Sequence, residues 1–530
     1  MIYKVLIPTA GLGTRLGDLS KNINKSLISI ATKPVISHII DKFPTDIEIV
    51  VALGYKGNLV RDFLELAYPD RKITFVDIDK FHGVGSGLGY TISKCQEHLR
   101  CPFIFCSNDT IVDENIPIPN TNWIGYAIQD SYDAKKYRSI KKLGGVVTEL
   151  CEKESKDGEE PYIGLAGIHD YEIFWDAMNE GVNYGSINIG ESYGLKKIIN
   201  KSSIYPKAFT WYDTGSIDGL HAAKSNFKKD SDPNILDKTD ESIWFVNGMV
   251  IKYSADDDFI TKRIKRTKYL DGFVPEIISS RKNMYSYREI KGNVLSKDIS
   301  IPMIERFMHY IGDMWGKCIE LDNEYKIKYS ESCKSFYQEK TYQRVNQFLN
   351  IYRQNDTKNV INGVDVPRIY DLLKEIDWDL LSTTSASSYH GDLHFENILV
   401  SEDGNFVLLD WRQDFGGICE YGDCYYDLAK LLHGMIVSHE IVNNDLFYFE
   451  KEDNIIKIDI LRNYKLVECE KWFMNYLNKN NYHIYKVLVL TSLIFINISP
   501  LHHDPYSQFL FYLGKYQLNN LLSNGDLYGK

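Results

Sequence analysis

Short, nearly unbroken apolar runs alternate with stretches of helical periodicity through the N-terminal part of the chain. Residues 2–7, 47–53 and 103–106 are too short and too continuously apolar to be amphipathic helices, and each runs straight into turn residues. They predict buried strands of an open α/β sheet. Residues 226–242 break this pattern, with few apolar positions and many charges, and read as a linker. Beyond it, residues 243–253 predict a hairpin turning at Asn247-Gly248. Residues 301–381 are mostly helical in pattern, and two short strands at 398–400 and 406–409 flank the turn Glu402-Asp403-Gly404-Asn405. The expected organisation is a domain at 1–225, a linker at 226–242 and a second domain at 243–530.

The loop after the first strand, Pro8-Thr9-Ala10-Gly11-Leu12-Gly13-Thr14-Arg15-Leu16, is rich in glycine, so its backbone N–H groups can approach phosphate oxygens without side-chain clash. It lacks the Gly-Lys-Ser/Thr ending of a Walker A loop, and Leu16 stands where a dinucleotide fingerprint needs a small residue. Asp109 lies just beyond the strand at 103–106, at the end of the sheet where ligands bind in open α/β folds. The G-x-G-T-R-L pattern resembles the sugar-nucleotide and phosphocholine nucleotidyltransferases, which transfer a nucleotide monophosphate to a phosphorylated acceptor and release pyrophosphate. The resemblance implies a Rossmann-like, GT-A-like domain. Ala10, Gly11, Gly13, Thr14, Gly83, Gly85 and Ser86 would then bind the nucleotide, and Arg15 and Lys25 would act on its phosphates. Lys153, in Glu152-Lys153-Glu154, would contact the acceptor phosphate, with Glu154 replacing the family's usual proline. Asp109 and Asp213, the latter in Trp211-Tyr212-Asp213-Thr214-Gly215, would hold Mg²⁺.

In the second domain an acid, an amide and a further acid are spaced as a kinase needs them: Asp392 in His390-Gly391-Asp392-Leu393-His394, then Asn397, then Asp410-Trp411. Asp392 can accept the proton of an attacking hydroxyl, while Asn397 and Asp410 offer hard oxygen ligands to magnesium on ATP. The stretch resembles the aminoglycoside phosphotransferase and choline kinase family, which implies a protein-kinase-like, two-lobed α+β domain. By that resemblance Lys252 contacts ATP phosphates, Glu289 and Ile290 belong to the adenine-binding hinge, and Asp427 braces the catalytic loop. Arg412 and Asp414, just past the metal ligand, are candidates for the acceptor pocket. The helix that should pair a Glu with Lys252 has none between 259 and 270, which leaves the partner of Lys252 open. Trp472, Phe473, Tyr476 and Tyr482 suit either an aromatic cage for a quaternary amine or, better, ordinary core packing.

Charge and cysteine usage narrow the setting. A net charge of −11 argues against nucleic acid or an anionic membrane as main partner. The nine cysteines show no framework spacing and fit a reducing compartment. Residues 1–16 lack the apolar core of a signal peptide, and the run at 487–498, broken by Thr491, Ser492 and Asn497, is too short to cross a bilayer. The expectation is a cytoplasmic protein acting on small molecules and nucleotides, without membrane insertion and with its oligomeric state open.

Together these features imply a bifunctional enzyme using Mg²⁺ at both sites. ATP would phosphorylate a small alcohol, an amino alcohol or polyol such as choline or ethanolamine. CTP, or another nucleoside triphosphate, would then convert the phosphate to a precursor for surface polysaccharide or lipid. CTP rests on analogy with bacterial phosphocholine cytidylyltransferases. The alternatives are a sugar kinase fused to a UTP-, GTP- or dTTP-dependent sugar-1-phosphate nucleotidyltransferase, and a nucleotide-binding regulatory protein with one inactive domain.

Overall fold

The computed structural model describes residues 2–128, 136–153, 160–229, 238–316, 318–383 and 385–523. Glu154 and residues 230–237 of the expected linker lie outside these residues. The chain forms two compact units: residues 1–260 with 278–289, and residues 261–277 with 290–530.

The first unit is built on strand Lys4–Pro8, which is parallel to both Glu48–Leu53 and Phe103–Cys106. Strand Ile73–Asp77 extends the sheet in parallel beyond Glu48–Leu53, and Glu160–Ile168 joins Phe103–Cys106 antiparallel. Four further strands bring the sheet to nine. The short apolar runs are strands because both faces are covered. Val5, Ile7, Ile49, Val51 and Ile104 enter one core, whereas Leu6, Val50, Ala52, Phe103 and Phe105 enter the other. Strand order reverses around Lys4–Pro8, so the loop after it opens at the switch point where α/β sheets bind ligands.

Compactness divides the chain at a different place from the motifs. Strands Glu241–Val246, Met249–Ser254, Met284–Arg288 and Ser279–Arg281 form the antiparallel sheet expected to open the kinase domain, and they pack into the first unit. The turn has the predicted chemistry, with Asn247 at φ 53° and Gly248 at φ 70°. Trp244, Val246, Ile251, Tyr253 and Met284 share a core with Ile7, Phe63 and Leu64. Trp244 meets Phe63 edge-on at 5.0 Å and donates from Nε1 to Ser29 Oγ at 3.0 Å. Asn247 Nδ2 donates to Ala67 O, and Tyr253 Oη donates to Asn22 O. The expected linker is also shorter than its composition suggested, because the helix Ile217–Phe227 runs into it and Glu241–Val246 begins within it.

The second unit is mainly helical and carries the predicted pair of strands, Ile398–Ser401 and Phe406–Leu408, in antiparallel register. It also holds a four-stranded sheet built from Val364–Val366, Asn359–Ile361, Ile455–Ile460 and Phe447–Glu452, which the helical reading of 301–381 did not anticipate. The overlooked signal was Asn362-Gly363, with φ of 49° and 81°, a two-residue hairpin turn between short apolar runs. The helix Ile484–Ile498 extends the apolar run on its N-terminal side. Thr491 and Ser492 do not interrupt it, because their hydroxyls donate back to Val487 O and Leu488 O one turn earlier. Residues Ile484–Leu501 are therefore long and apolar enough to cross a membrane by length and composition, but 78% of the segment is buried inside the protein.

Trp244→Ala should weaken the first unit by about 3–5 kcal/mol, the usual cost of deleting a buried large aromatic side chain. The unfolding transition that accompanies loss of nucleotide binding at the N-terminal cleft, followed by calorimetry, should move down. An unchanged transition would mean that the hairpin is not part of that core.

Candidate functional site

In the first unit a cavity of about 410 Å³ opens at the carboxyl ends of the central strands. Of the residues singled out in sequence, Ala10, Gly11, Arg15, Lys25, Ser86, Asp109, Lys153 and Asp213 line it. Gly13, Thr14, Gly83 and Gly85 are not among the lining residues but belong to the same two loops as Gly11, Arg15 and Ser86, which are. Gly13 has φ 71°, and a side chain there would begin 3.1 Å from Lys25 Cβ. Gly83 accepts hydrogen bonds from both the N–H and the hydroxyl of Ser86, closing the second glycine-rich turn on itself.

A two-stranded ribbon brings the distant acids together. Trp211–Asp213 pairs with Thr110–Val112 so that Asp213 faces Thr110, one residue from Asp109. Thr214 N and Oγ1 both donate to Asp109 O, at 2.9 and 3.1 Å. A Cβ at Gly215 would lie 2.8 Å from Asp109 Oδ2 and 3.1 Å from Asp213 Oδ1, so the two carboxylates flank one small gap. Two hard oxygen donors around a space that a methyl group would fill suit Mg²⁺. Among the described residues, no cluster of three or more His, Cys, Asp or Glu side chains forms a fuller metal site.

Burial raises the proton affinity of Asp109, and Lys25 at 2.8 Å acts against it. With help from Ser107 Oγ at 2.5 Å and the more distant Arg15, the carboxyl is held at about 2. Asp213 accepts from Tyr137 Oη at 2.8 Å and from Gly215 N at 3.0 Å. Tyr137 and Ser107 carried no motif signal, and tertiary contact alone identifies them. The same holds for Glu191, a buried cavity acid whose proton affinity is raised, first by its burial.

In the second unit the predicted catalytic loop is held by Asp427, as expected. Its Oδ2 accepts the N–H of His390 at 2.6 Å and its Oδ1 that of Gly391 at 2.7 Å, while Trp315 Nε1 donates to Oδ2 at 3.1 Å. Burial pushes this carboxyl up to about 6 despite those donors. Burial also lowers His390 to about 3, so its ring is neutral at ordinary pH. The ring accepts the Asp392 N–H at Nδ1 and therefore donates from Nε2 to Leu409 O, at 2.9 Å.

Asp392 is next to Lys430, whose Nζ lies 2.8 Å from Oδ1. Burial acts to raise Asp392, but Lys430 and then His394 hold it well below the carboxylate range. Leu409 N donates to Asn397 O at 2.8 Å, which brings Asp410, the next residue, to the Asn397 end of the hairpin. Asn397 Nδ2 donates to Asp392 O at 2.9 Å. Asp410 is ion-paired with the nearly buried Arg263. Asn397 and Asp410 still present oxygen donors of the kind Mg²⁺ takes, although a cation at Asp410 would compete with that guanidinium.

Lys252 and Glu289 belong to the first unit. Lys252 is buried in Met249–Ser254, and Glu289 donates its N–H to Gly248 O at 2.8 Å. Ile290 is half-buried at the start of the second unit's next segment. Trp472, Tyr476 and Tyr482 stack nearly parallel, at 21° and 27°, and Phe473 is buried away from them, so the four do not enclose a cage.

Residues 362–448, which include Asp392, Asn397, Asp410, Asp427 and Lys430, match the model of the phosphotransferase enzyme family. The bifunctional protein GlmU of Methanococcus vannielii is 24% identical over 329 residues, 58% of this chain and 76% of that protein. The UTP--glucose-1-phosphate uridylyltransferase AglF of Haloferax volcanii is 24% identical over 116 residues, 21% of this chain and 46% of its own. A solved CTP:phosphocholine cytidylyltransferase from Streptococcus pneumoniae is 19% identical, with a TM-score of 0.36 over 43% of this chain and 100% of that one. The chain joins a nucleotidyltransferase-like region to a phosphotransferase region, and is an enzyme with kinase and nucleotidyltransferase parts.

Two outcomes test the electrostatics. The folded value of Asp109, about 2, lies below the roughly 3.9 of an unfolded aspartate, so its pairing adds stability that is complete above about pH 4 and is lost as pH falls through 2. Lys25→Met should therefore move the acid-unfolding midpoint, followed by circular dichroism, to higher pH. Asp427→Ala leaves two buried amide N–H groups without an acceptor and should cost about 2–5 kcal/mol in denaturant titrations, with Asp427→Asn losing less.

Proposed function

We propose that the chain carries out two consecutive transfers on one small alcohol, phosphorylating it with ATP in the C-terminal part and joining the phosphate to a nucleotide in the N-terminal part. The observation that carries this reading is that one chain holds two separate acidic constellations, Asp109 with Asp213 and Asp392 with Asn397 and Asp410, each backed by its own lysine.

In the first step the alcohol oxygen attacks the γ-phosphorus of ATP, ADP leaves, and the hydroxyl proton passes to Asp392. A carboxylate held ionised by Lys430 is a weak base. That suits a loose phosphoryl transition state, in which aiming the hydroxyl matters more than removing its proton early. In the second step an oxygen of the new phosphomonoester attacks the α-phosphorus of a nucleoside triphosphate, and pyrophosphate leaves. Lys153 would neutralise the attacking phosphate, while Arg15, Lys25 and the amides of residues 10–14 would take the charge of the triphosphate. Mg²⁺ held by Asp109 and Asp213, and by Asn397 and Asp410, would neutralise phosphate oxygens at each site.

For the nucleotide, CTP is the expectation carried from sequence. The likeness to a UTP--glucose-1-phosphate uridylyltransferase supports a second reading with UTP and a sugar phosphate. Phosphorus NMR of the enzyme with Mg²⁺, ATP, CTP and UTP tests both on a panel of alcohols and sugars. A phosphomonoester should form and then become a diphosphate diester. Asp392→Asn should slow the first step by about 10²–10⁴-fold and leave diester formation from supplied phosphomonoester intact. Asp109→Ala should do the reverse, and loss of both steps in either variant would sink the two-site reading.

A further inference from the structure

The surroundings of Asp392 carry more positive charge than the base itself can use. Lys340 opens the helix Lys340–Ile351, with Arg344 one turn later on the same face. Just before it, the π-helical turn Ser335–Glu339 presents Phe336, and such turns recur at functional sites. The Lys340 ammonium sits 4.4 Å from the Phe336 ring centre and 5.6 Å from that of Tyr426. The Arg412 guanidinium lies 4.7 Å from the same Phe336 ring, which therefore has two cations around it. Tyr426 is one helical turn before Lys430, the residue that touches Asp392.

The acids nearby do not balance this set. Asp392 is taken by Lys430, and Asp414, two residues from Arg412, lies 3.4 Å from Lys262. Among the described residues neither Lys340 nor Arg412 has a carboxylate within ion-pair distance, and the buried Nε of Arg412 has no hydrogen-bond partner. Burial, followed by the charges of Arg412, Lys430 and Arg344, drives the Lys340 ammonium well below its usual range, against a weaker pull from Asp392. Gathering like charges in a half-dry place opposes folding, so the arrangement is most simply explained by a ligand anion that fills it.

We propose that Lys340, Arg344 and Arg412 form an anion subsite for the acceptor, so that the alcohol phosphorylated at Asp392 carries a carboxylate or phosphate of its own. This rests on the kinase reading above and replaces the amino-alcohol expectation, because a choline-like cation would add to the repulsion already present. The acceptor hydroxyl would be aimed at Asp392 by its anionic end. Its O–H bond breaks as the new O–P bond forms, and ADP departs with the electrons of the cleaved β–γ bridge.

Four three-carbon alcohols that differ mainly in charge separate the possibilities: glycerate, glycerol phosphate, glycerol and serinol. Their binding is measured calorimetrically to the full chain with Mg²⁺ and a non-hydrolysable ATP analogue, and phosphoryl transfer is measured with ATP. An anionic alcohol should bind at least about tenfold tighter than glycerol, and serinol weakest. Glycerate ahead of glycerol phosphate, or the reverse, would say which anion is read. Lys340→Met and Arg412→Met should remove the preference for the anionic alcohols over glycerol, and Lys340→Arg should restore it. Arg344→Gln should weaken it if Lys340→Met does not fold. Asp392→Asn should keep the preference while losing transfer. Serinol binding as tightly as glycerate, or a preference that survives both methionine variants, would overturn the subsite. Anion-selective binding with no phosphomonoester from any acceptor would leave the subsite standing and sink the kinase reading.

Discussion

A carboxylate taken out of water must be met by a cation or by several N–H donors, and both candidate sites are organised by that requirement. Asp109 has Lys25, Asp392 has Lys430, Asp410 has Arg263, and Asp427 has two backbone amides and an indole. Deeper in the second unit, Asp423 is paired with Lys486 at 2.6 Å, with both side chains essentially without exposure. That pair also takes Tyr337 Oη at 2.8 Å and the Tyr425 N–H at 3.0 Å, so the lone pairs left by Lys486 are used. Breaking such a pair costs more than the pair contributes, which makes it a constraint on geometry more than a source of stability. Lys340 stands out against this pattern as a cation set between aromatic rings with no acid of its own among the described residues.

The pairing also divides labour among the acids. Asp427 faces amides and lies highest in proton affinity, and its work is to hold the loop. Asp392 and Asp109 face ammonium groups and stay charged, the state that the proposed proton acceptor and the proposed cation ligand need. The neutral ring of His390, clamped between the Asp392 N–H and Leu409 O, links the loop to the end of the hairpin that carries Asp410. Loop, hairpin and helix Cys424–Ile436 are thus joined by hydrogen bonds that leave Asp392 few ways to point.

Packing gives the strand sheet at 241–288 a second meaning. Its motifs resemble the opening of a kinase domain, yet Trp244, Val246, Ile251 and Met284 complete a core that also contains the first strand and the helix Gly57–Ala67. A linker between two self-sufficient domains would not need these contacts. The nucleotidyltransferase-like unit depends on residues that a motif boundary assigns elsewhere.

Much of this was legible in the linear chain. Apolar runs too short for helices marked the central strands, Asn247-Gly248 marked a hairpin, and the spacing of Asp392, Asn397 and Asp410 marked a loop–hairpin whose register the structure reproduces. These are local signals, since strand periodicity, turn chemistry and residue order are written within a few positions. Asn362-Gly363 was equally local and was overlooked inside a helical stretch. What only tertiary structure decided involves partners far apart in sequence. Tyr137 meets Asp213, Lys430 meets Asp392 across 38 positions, and Lys340 and Arg412 share one phenyl ring. No periodicity encodes such contacts, because they arise when separate elements bury their apolar faces and bring the charged residues on their rims to the same cleft.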